Sequence, residues 1–128
     1  MKYVTIFIFI TCIFLIFNCT DKNEKNILDF NKYTFNTVLK GEGTYNIGYE
    51  FDINKKYYAN KEYNFIYYPK NLKERKFLIP GSLSNGEFPI YWRGVNLPFT
   101  IIKKANSDTL LIIKNNKKFI FKRIKNSD

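Results

Sequence analysis

The feature that most restricts this chain is an alternation of side-chain character from Thr44 to Ile53. Tyr45, Ile47, Tyr49, Phe51 and Ile53 interleave with Thr44, Asn46, Gly48, Glu50 and Asp52. Successive side chains of an extended strand leave opposite faces, so this pattern predicts a half-buried antiparallel strand. Asn54-Lys55-Lys56 follows as a turn, and Tyr57-Tyr58 and Glu62 to Tyr68 continue as strand, with Tyr63, Phe65 and Tyr67 on one face. Pro69 to Arg75 reads as a charged loop. Phe77 to Ile79 reads as a short strand stopped by Pro80-Gly81, and Ser84-Asn85-Gly86 as a second turn. Phe88 to Arg93 and Phe99 to Lys103 are predicted strands flanking a Gly94–Pro98 loop, with Pro89 and Pro98 at strand ends or sheet edges.

The C-terminal region is the most legible. Thr109 to Lys114 and Lys118 to Ile124, joined by Asn115-Asn116-Lys117 after an Ala105–Asp108 turn, complete a three-strand meander with Phe99–Lys103. Ile27 to Lys40 fits neither the helical nor the strand period. It reads as a short helix closing one end of the fold or as an irregular first strand, punctuated by Gly41 and Gly43. Together these segments predict an all-β domain of about seven or eight strands, as a small antiparallel up-and-down β-barrel or a β-sandwich. The terminal meander favours the barrel.

Ahead of this domain, Met1 to Cys19 reads MKYVTIFIFITCIFLIFNC. Lys2 supplies a positive start and Tyr3 to Phe17 an apolar run, the layout of an export signal. A helix over that run rises roughly 22 Å, short of a ~30 Å hydrocarbon core. The small residues of an ordinary cleavage site are missing, since the first alanine is Ala59. Instead, Ile16-Phe17-Asn18-Cys19 resembles a lipobox, in which a branched apolar residue stands three before the cysteine. It is similar to the relaxed lipoboxes of Bacteroidetes-type lipoproteins, with Phe17 and Asn18 departing from the usual small residues. Cys12, the other cysteine, lies inside the apolar run. The resemblance implies a signal peptide over residues 1–18 and lipidation of Cys19. A flexible tether over 19–26 and a single β domain over 27–128 would follow. The alternative is an uncleaved N-terminal anchor, and both place the chain at a membrane. Asp21 and Glu24 loosely resemble the acidic export tags of surface-exposed lipoproteins, beside the plainer reading of a solvated linker.

Lys and Arg number 21 against 11 Asp and Glu, a net charge of +10, and histidine is absent. Without histidine, the commonest metal ligand and the commonest general base are both missing. With no cysteine after Cys19, the mature part has no intramolecular disulfide. The positive surface favours anionic partners such as lipid headgroups or acidic glycans. The export signal argues against nucleic acid. Richness in Lys, Asn, Ile, Phe and Tyr together is also the signature of AT-rich coding.

Several residues are candidates for chemistry. Glu50 and Asp52 stand two apart on one strand face, as a carboxylate pair or as ordinary solvated charges; two carboxylates are too few for calcium. Tyr91, Trp92 and Arg93 form the best binding candidate, an aromatic–arginine cluster beside a glycine-containing loop. As strand neighbours, Tyr91 and Trp92 face opposite sides, so one of them is expected outside the core. Tyr45, Tyr49, Tyr63 and Tyr67 would give a barrel interior an amphipathic lining, unless side chains simply fill it. Lys118 and Lys122 share a strand face that suits phosphates or lipid headgroups. Gly43-Thr44-Tyr45 resembles the Gly-x-Trp that opens the first lipocalin strand, with Tyr in place of Trp. Arg123 resembles the arginine that packs across that aromatic. The likeness, over about Gly41 to Lys125, is to small lipocalin-like lipoproteins of Bacteroidetes.

These readings converge on a membrane-tethered lipoprotein of the bacterial cell envelope, on the periplasmic face or the outer-membrane surface. Its β domain is expected to be a non-catalytic binding module, with Tyr45, Tyr49, Tyr91, Trp92 and Arg93 as candidate ligand-binding residues. The expected ligand is an apolar or amphipathic small molecule or an envelope component. The alternative is an interaction lipoprotein that holds another envelope protein or a glycan through a basic, aromatic surface without a cavity. No cofactor, metal or enzymatic activity is expected.

Overall fold

The computed structural model describes residues 26–45, 50–59, 63–82 and 88–125, with only the backbone of Glu50, Tyr63 and Lys125. The expectations for the signal segment, Cys19, Tyr49 and the 84–86 turn lie outside these residues. Within them the protein is mostly β. The strands are β1 (Ile27–Asp29), β2 (Phe35–Leu39), β3 (Glu50–Ile53), β4 (Lys56–Ala59), β5 (Tyr63–Tyr67), β6 (Ile90–Tyr91), β7 (Phe99–Lys103), β8 (Thr109–Lys114) and β9 (Lys117–Lys125). One helix, α1, spans Leu72–Leu78.

The strands divide between a three-stranded sheet, in the order β1-β4-β3, and a six-stranded sheet, in the order β2-β7-β8-β9-β5-β6. Among the described residues the larger sheet ends at β2 and β6 without pairing them, so no closed barrel forms. One pair also departs from an antiparallel design, because β1 runs parallel to β4, with Ile27 opposite Tyr57. The chain leaves β1 through a 3-10 turn, Phe30–Lys32, capped by the Asp29 carboxylate, which accepts from Asn31 N at 3.0 Å. That turn carries β2 across to the larger sheet.

The β7-β8-β9 meander forms as its sequence predicts. At the β8–β9 turn Asn115 and Asn116 have φ of 46° and 62°. Two successive left-handed residues match the twist of a two-residue hairpin, and asparagine adopts that conformation more readily than most residues. Asn54 and Lys55, at φ of 53° and 66°, make the same kind of turn between β3 and β4.

Two predicted segments take another form, and a third departs at its start. Leu72–Leu78 is helical rather than loop followed by strand, because Asn71 caps it: its side-chain oxygen accepts from Glu74 N at 2.9 Å, while Glu74 accepts from Lys70 N at 2.6 Å. Spacing of three then brings Arg75 and Leu78 to one buried face. Of the strand predicted over Thr44–Ile53, Glu50–Ile53 forms as expected, and 46–49 lie outside the described residues. At its start, Gly43 sits at φ 72° and Thr44 makes an isolated antiparallel bridge to Asn96 rather than a ladder pair. The segment 88–93 is extended only at Ile90–Tyr91 and then closes into a 3-10 turn, Trp92–Gly94.

The core lies between the two sheets. From the larger sheet it takes the inward positions Phe35, Leu39, Phe99, Ile101, Leu110, Ile112, Phe119, Phe121 and Phe65, and from the smaller one Phe51, Ile53 and Tyr58. Burial of this apolar area is the main stabilising term, at roughly 25 cal/mol per Å2.

Candidate functional site

At the centre of the core is an aromatic cluster built from the two 3-10 turns. Trp92, 1% exposed, stacks on Phe30 with ring centroids 4.9 Å apart and planes 12° from parallel. Phe51 meets both rings edge-on, at 5.2 Å from each, and Phe35 stacks on the other side of Phe30 at 4.9 Å. Offset stacking and edge contacts are the arrangements that ring quadrupoles favour. The Trp92 Nε1 hydrogen has no hydrogen-bond acceptor among the described residues. This cluster packs side chain against side chain between the two sheets.

The candidate binding residues therefore separate. Tyr91 is exposed on the outer face of β6, whereas Trp92 points into the core. Arg93 is half-buried, its guanidinium carbon 5.9 Å from the Phe51 ring centroid, a cation–π contact at the rim of the cluster. Tyr45 is half-buried as well; its ring meets Phe51 edge-on at 6.2 Å and its hydroxyl donates to Asp52 at 3.5 Å. Burial, then the Asp52 charge and hydrogen bond, push the Tyr45 hydroxyl up to about 12. Asp52 is thus engaged by a phenol, and Glu50 contributes only its backbone to the described structure. Tyr67 packs on Phe119 and Phe121, and burial followed by Glu74 raises its hydroxyl to about 12. Burial also raises Tyr58, with Tyr33 adding to it. Arg123 forms an ion pair with Asp108 at 2.6 Å.

Three buried cations were not foreseen, and they organise the loops around the core. Lys103, 1% exposed, ends the inward series Phe99, Ile101, Lys103 of β7. Its ammonium donates to the carbonyls of Asn31 at 2.9 Å, Lys104 at 3.0 Å and Tyr33 at 3.4 Å. It also lies 5.3 Å from the Phe30 and 5.7 Å from the Phe65 ring centroid. Burial is the main force lowering its pKa to about 8; Asp29 opposes the shift and Arg123 adds to it. Lys114 ends the inward series Leu110, Ile112, Lys114 of β8 and donates to Asn96 O at 2.7 Å and Pro98 O at 3.2 Å, with burial lowering its pKa. Arg75 donates from Nε to Ser82 Oγ at 2.8 Å and from Nη1 to Phe88 O at 2.5 Å. Each cation fastens an irregular segment to a sheet or helix by donating to oxygens of that segment, which also satisfies its own buried charge. The sequence signal for the two lysines is the strand alternation itself, which runs through to a lysine at an inward position.

Open hollows occur at the surface. One of about 560 Å3 lies against the β1–β4 edge, lined by Asn26, Leu28, Tyr33, Lys55, Lys56 and Tyr57. Another, of about 270 Å3, lies between α1 and the start of β9, where Lys117 Nζ sits 4.8 Å from the Phe77 ring centroid. Among the described residues there is no group of three or more His, Cys, Asp or Glu side chains placed to hold a metal. Nor, among them, is any helix long and apolar enough to cross a membrane.

Set against known proteins, the chain matches no family model, no curated protein and no solved structure. The functional reading therefore rests on its own residues.

Proposed function

We propose that this protein is a membrane-tethered lipoprotein of the bacterial envelope, lipidated at Cys19, whose β domain is a non-catalytic interaction module that binds through its surface. The two sheets serve as a sandwich-like scaffold for that surface. The observation that carries the reading is the filled interior: Trp92, Phe30, Phe51 and Phe35 occupy the space between the sheets. Tyr91, the exposed member of the aromatic–arginine cluster, points away from it. The chain's excess of 21 basic over 11 acidic residues directs the surface toward an anionic component of the envelope.

A second reading, a small amphipathic ligand, is favoured by the hollow against the β1–β4 edge. Its mix of Leu28, two tyrosines and two lysines suits an apolar molecule with an anionic head. It would be an open groove rather than a lipocalin-like cavity.

The test of the tether is the mass of the N-terminal peptide from protein made in a bacterial host. The expected result is a diacyl or triacyl mass increase on Cys19 and recovery with the membranes. Cys19→Ala should abolish both the mass increase and the processing. An unmodified Cys19 in a protein that retains Met1–Phe17 would overturn lipidation in favour of an uncleaved anchor.

A further inference from the structure

The outer face of the larger sheet is apolar where a solvated sheet face would be polar. The cross-strand row Asn36–Ile102–Leu111–Ile120 and the next row, Val38–Thr100–Ile113–Lys118, run across β2, β7, β8 and β9 on the side away from the core. Val38 and Ile120 are 52% and 57% exposed, Ile124 is exposed beyond them, and Ile102, Leu111 and Ile113 are half-buried. β9 sets exposed lysines on the same face, Lys118 and Lys122, two residues on either side of Ile120. The four strands carry no acidic residue.

We infer that this face lies on an anionic lipid bilayer, with Val38, Ile120 and Ile124 entering the headgroup layer and Lys118 and Lys122 meeting lipid phosphates. Charge decides the occupant. A second copy packed face to face would bring lysines against lysines with no carboxylate to answer them. An anionic bilayer takes both the aliphatic side chains and the ammonium groups. Cys19, the proposed point of lipidation, stands seven residues before Asn26. From a lipidated Cys19, residues 20–25 reach roughly 20 Å at full extension, so the tether keeps the domain close enough to lie down. The inference rests on the membrane placement proposed above and adds an orientation to it.

The experiment uses the full chain with vesicles of phosphatidylcholine containing phosphatidylglycerol, with vesicles of phosphatidylcholine alone, and in detergent micelles. Flotation reports attachment. Acetylation of lysines by a water-soluble reagent, read peptide by peptide, reports the face. In anionic vesicles Lys118 and Lys122 should react about fivefold more slowly than in phosphatidylcholine, the scale of one lysine's attraction to an anionic surface. Lys55 and Lys73, on the β3–β4 turn and on α1, should react alike in both. Ile120→Asp, a change at an exposed position, should remove the protection while leaving the near-ultraviolet dichroism of Trp92 unchanged. Flotation without protection of Lys118 and Lys122 would overturn the orientation and leave the tether standing. Failure to float would overturn both. Protection that also appears in micelles and rises with protein concentration would assign the face to self-association instead.

Discussion

At the scale of the residue, Lys103 is the most informative side chain. Its pKa is depressed to about 8 in the folded protein against 10.5 when unperturbed. The unfolded chain therefore binds more protons between those values, and stability from this group rises with pH from about 8 to 10.5. Tyr45 and Tyr67, raised to about 12 from 10.0, act oppositely: the stability they contribute is full below pH 10 and is lost as pH rises toward 12. Denaturant midpoints across pH 7 to 11 should accordingly climb above pH 8 and turn down above pH 10. Lys103→Met, which keeps the aliphatic stem, should flatten the climb. A midpoint independent of pH between 8 and 10 in the parent protein would refute the burial argument. Trp92→Ala should cost about 3–5 kcal/mol in denaturant unfolding, as deletion of a buried aromatic does. Tyr91→Ala, at an exposed position, should cost within about 0.5 kcal/mol. Equal costs would contradict the assignment of one side chain to the core and the other to the surface. The sequence shows that Tyr91 and Trp92 must part company, but not which one turns inward. That choice is made by the 3-10 turn that sets Trp92 against Phe30, a residue 62 positions away in the chain.

At the scale of the element, legibility follows how local each element's cause is. The β8–β9 hairpin is readable because its strands alternate and its Asn-Asn turn supplies both left-handed residues within a few positions. Replacing Asn116 by Gly should leave stability unchanged or slightly higher, while Asn116→Val should cost about 1–2 kcal/mol in thermal or denaturant unfolding. The helix α1 also carried a local sign, Asn71 followed three residues later by Glu74, but two helical turns among charged residues give little periodicity to set beside it. Asn71→Ala should lower stability by about 1 kcal/mol through loss of the cap at Glu74 N. The parallel pairing of β1 with β4 has no local cause. It depends on where the Phe30–Lys32 turn sends the chain and on the shared core that results. The long alternation at Thr44–Ile53 is a true strand signal at Phe51 and Ile53, both buried. At Thr44 it gives way to the Asn96 bridge, held through Leu97 N to Gly43 O at 2.8 Å. Lys114, reaching Asn96 O and Pro98 O, braces the same loop.

At the scale of the whole molecule, the fold is an all-β scaffold whose core is packed with aromatic and aliphatic side chains and edged by the buried cations Arg75, Lys103 and Lys114. Strand class was readable from alternation, whereas the division into a three- and a six-stranded sheet was not, because strand order leaves no period in the sequence. The proposed function accordingly looks to the surface rather than to the interior. The measurement that tests this account most directly is native mass spectrometry of the full chain, released gently from the membranes of a bacterial host. The account predicts the mass of the lipidated protein alone, with no additional small molecule retained in the gas phase. A reproducible extra mass, lost on denaturation and lost again in a Trp92→Phe variant, would contradict it. That result would place a ligand among the core aromatics and return the protein to the lipocalin-like reading.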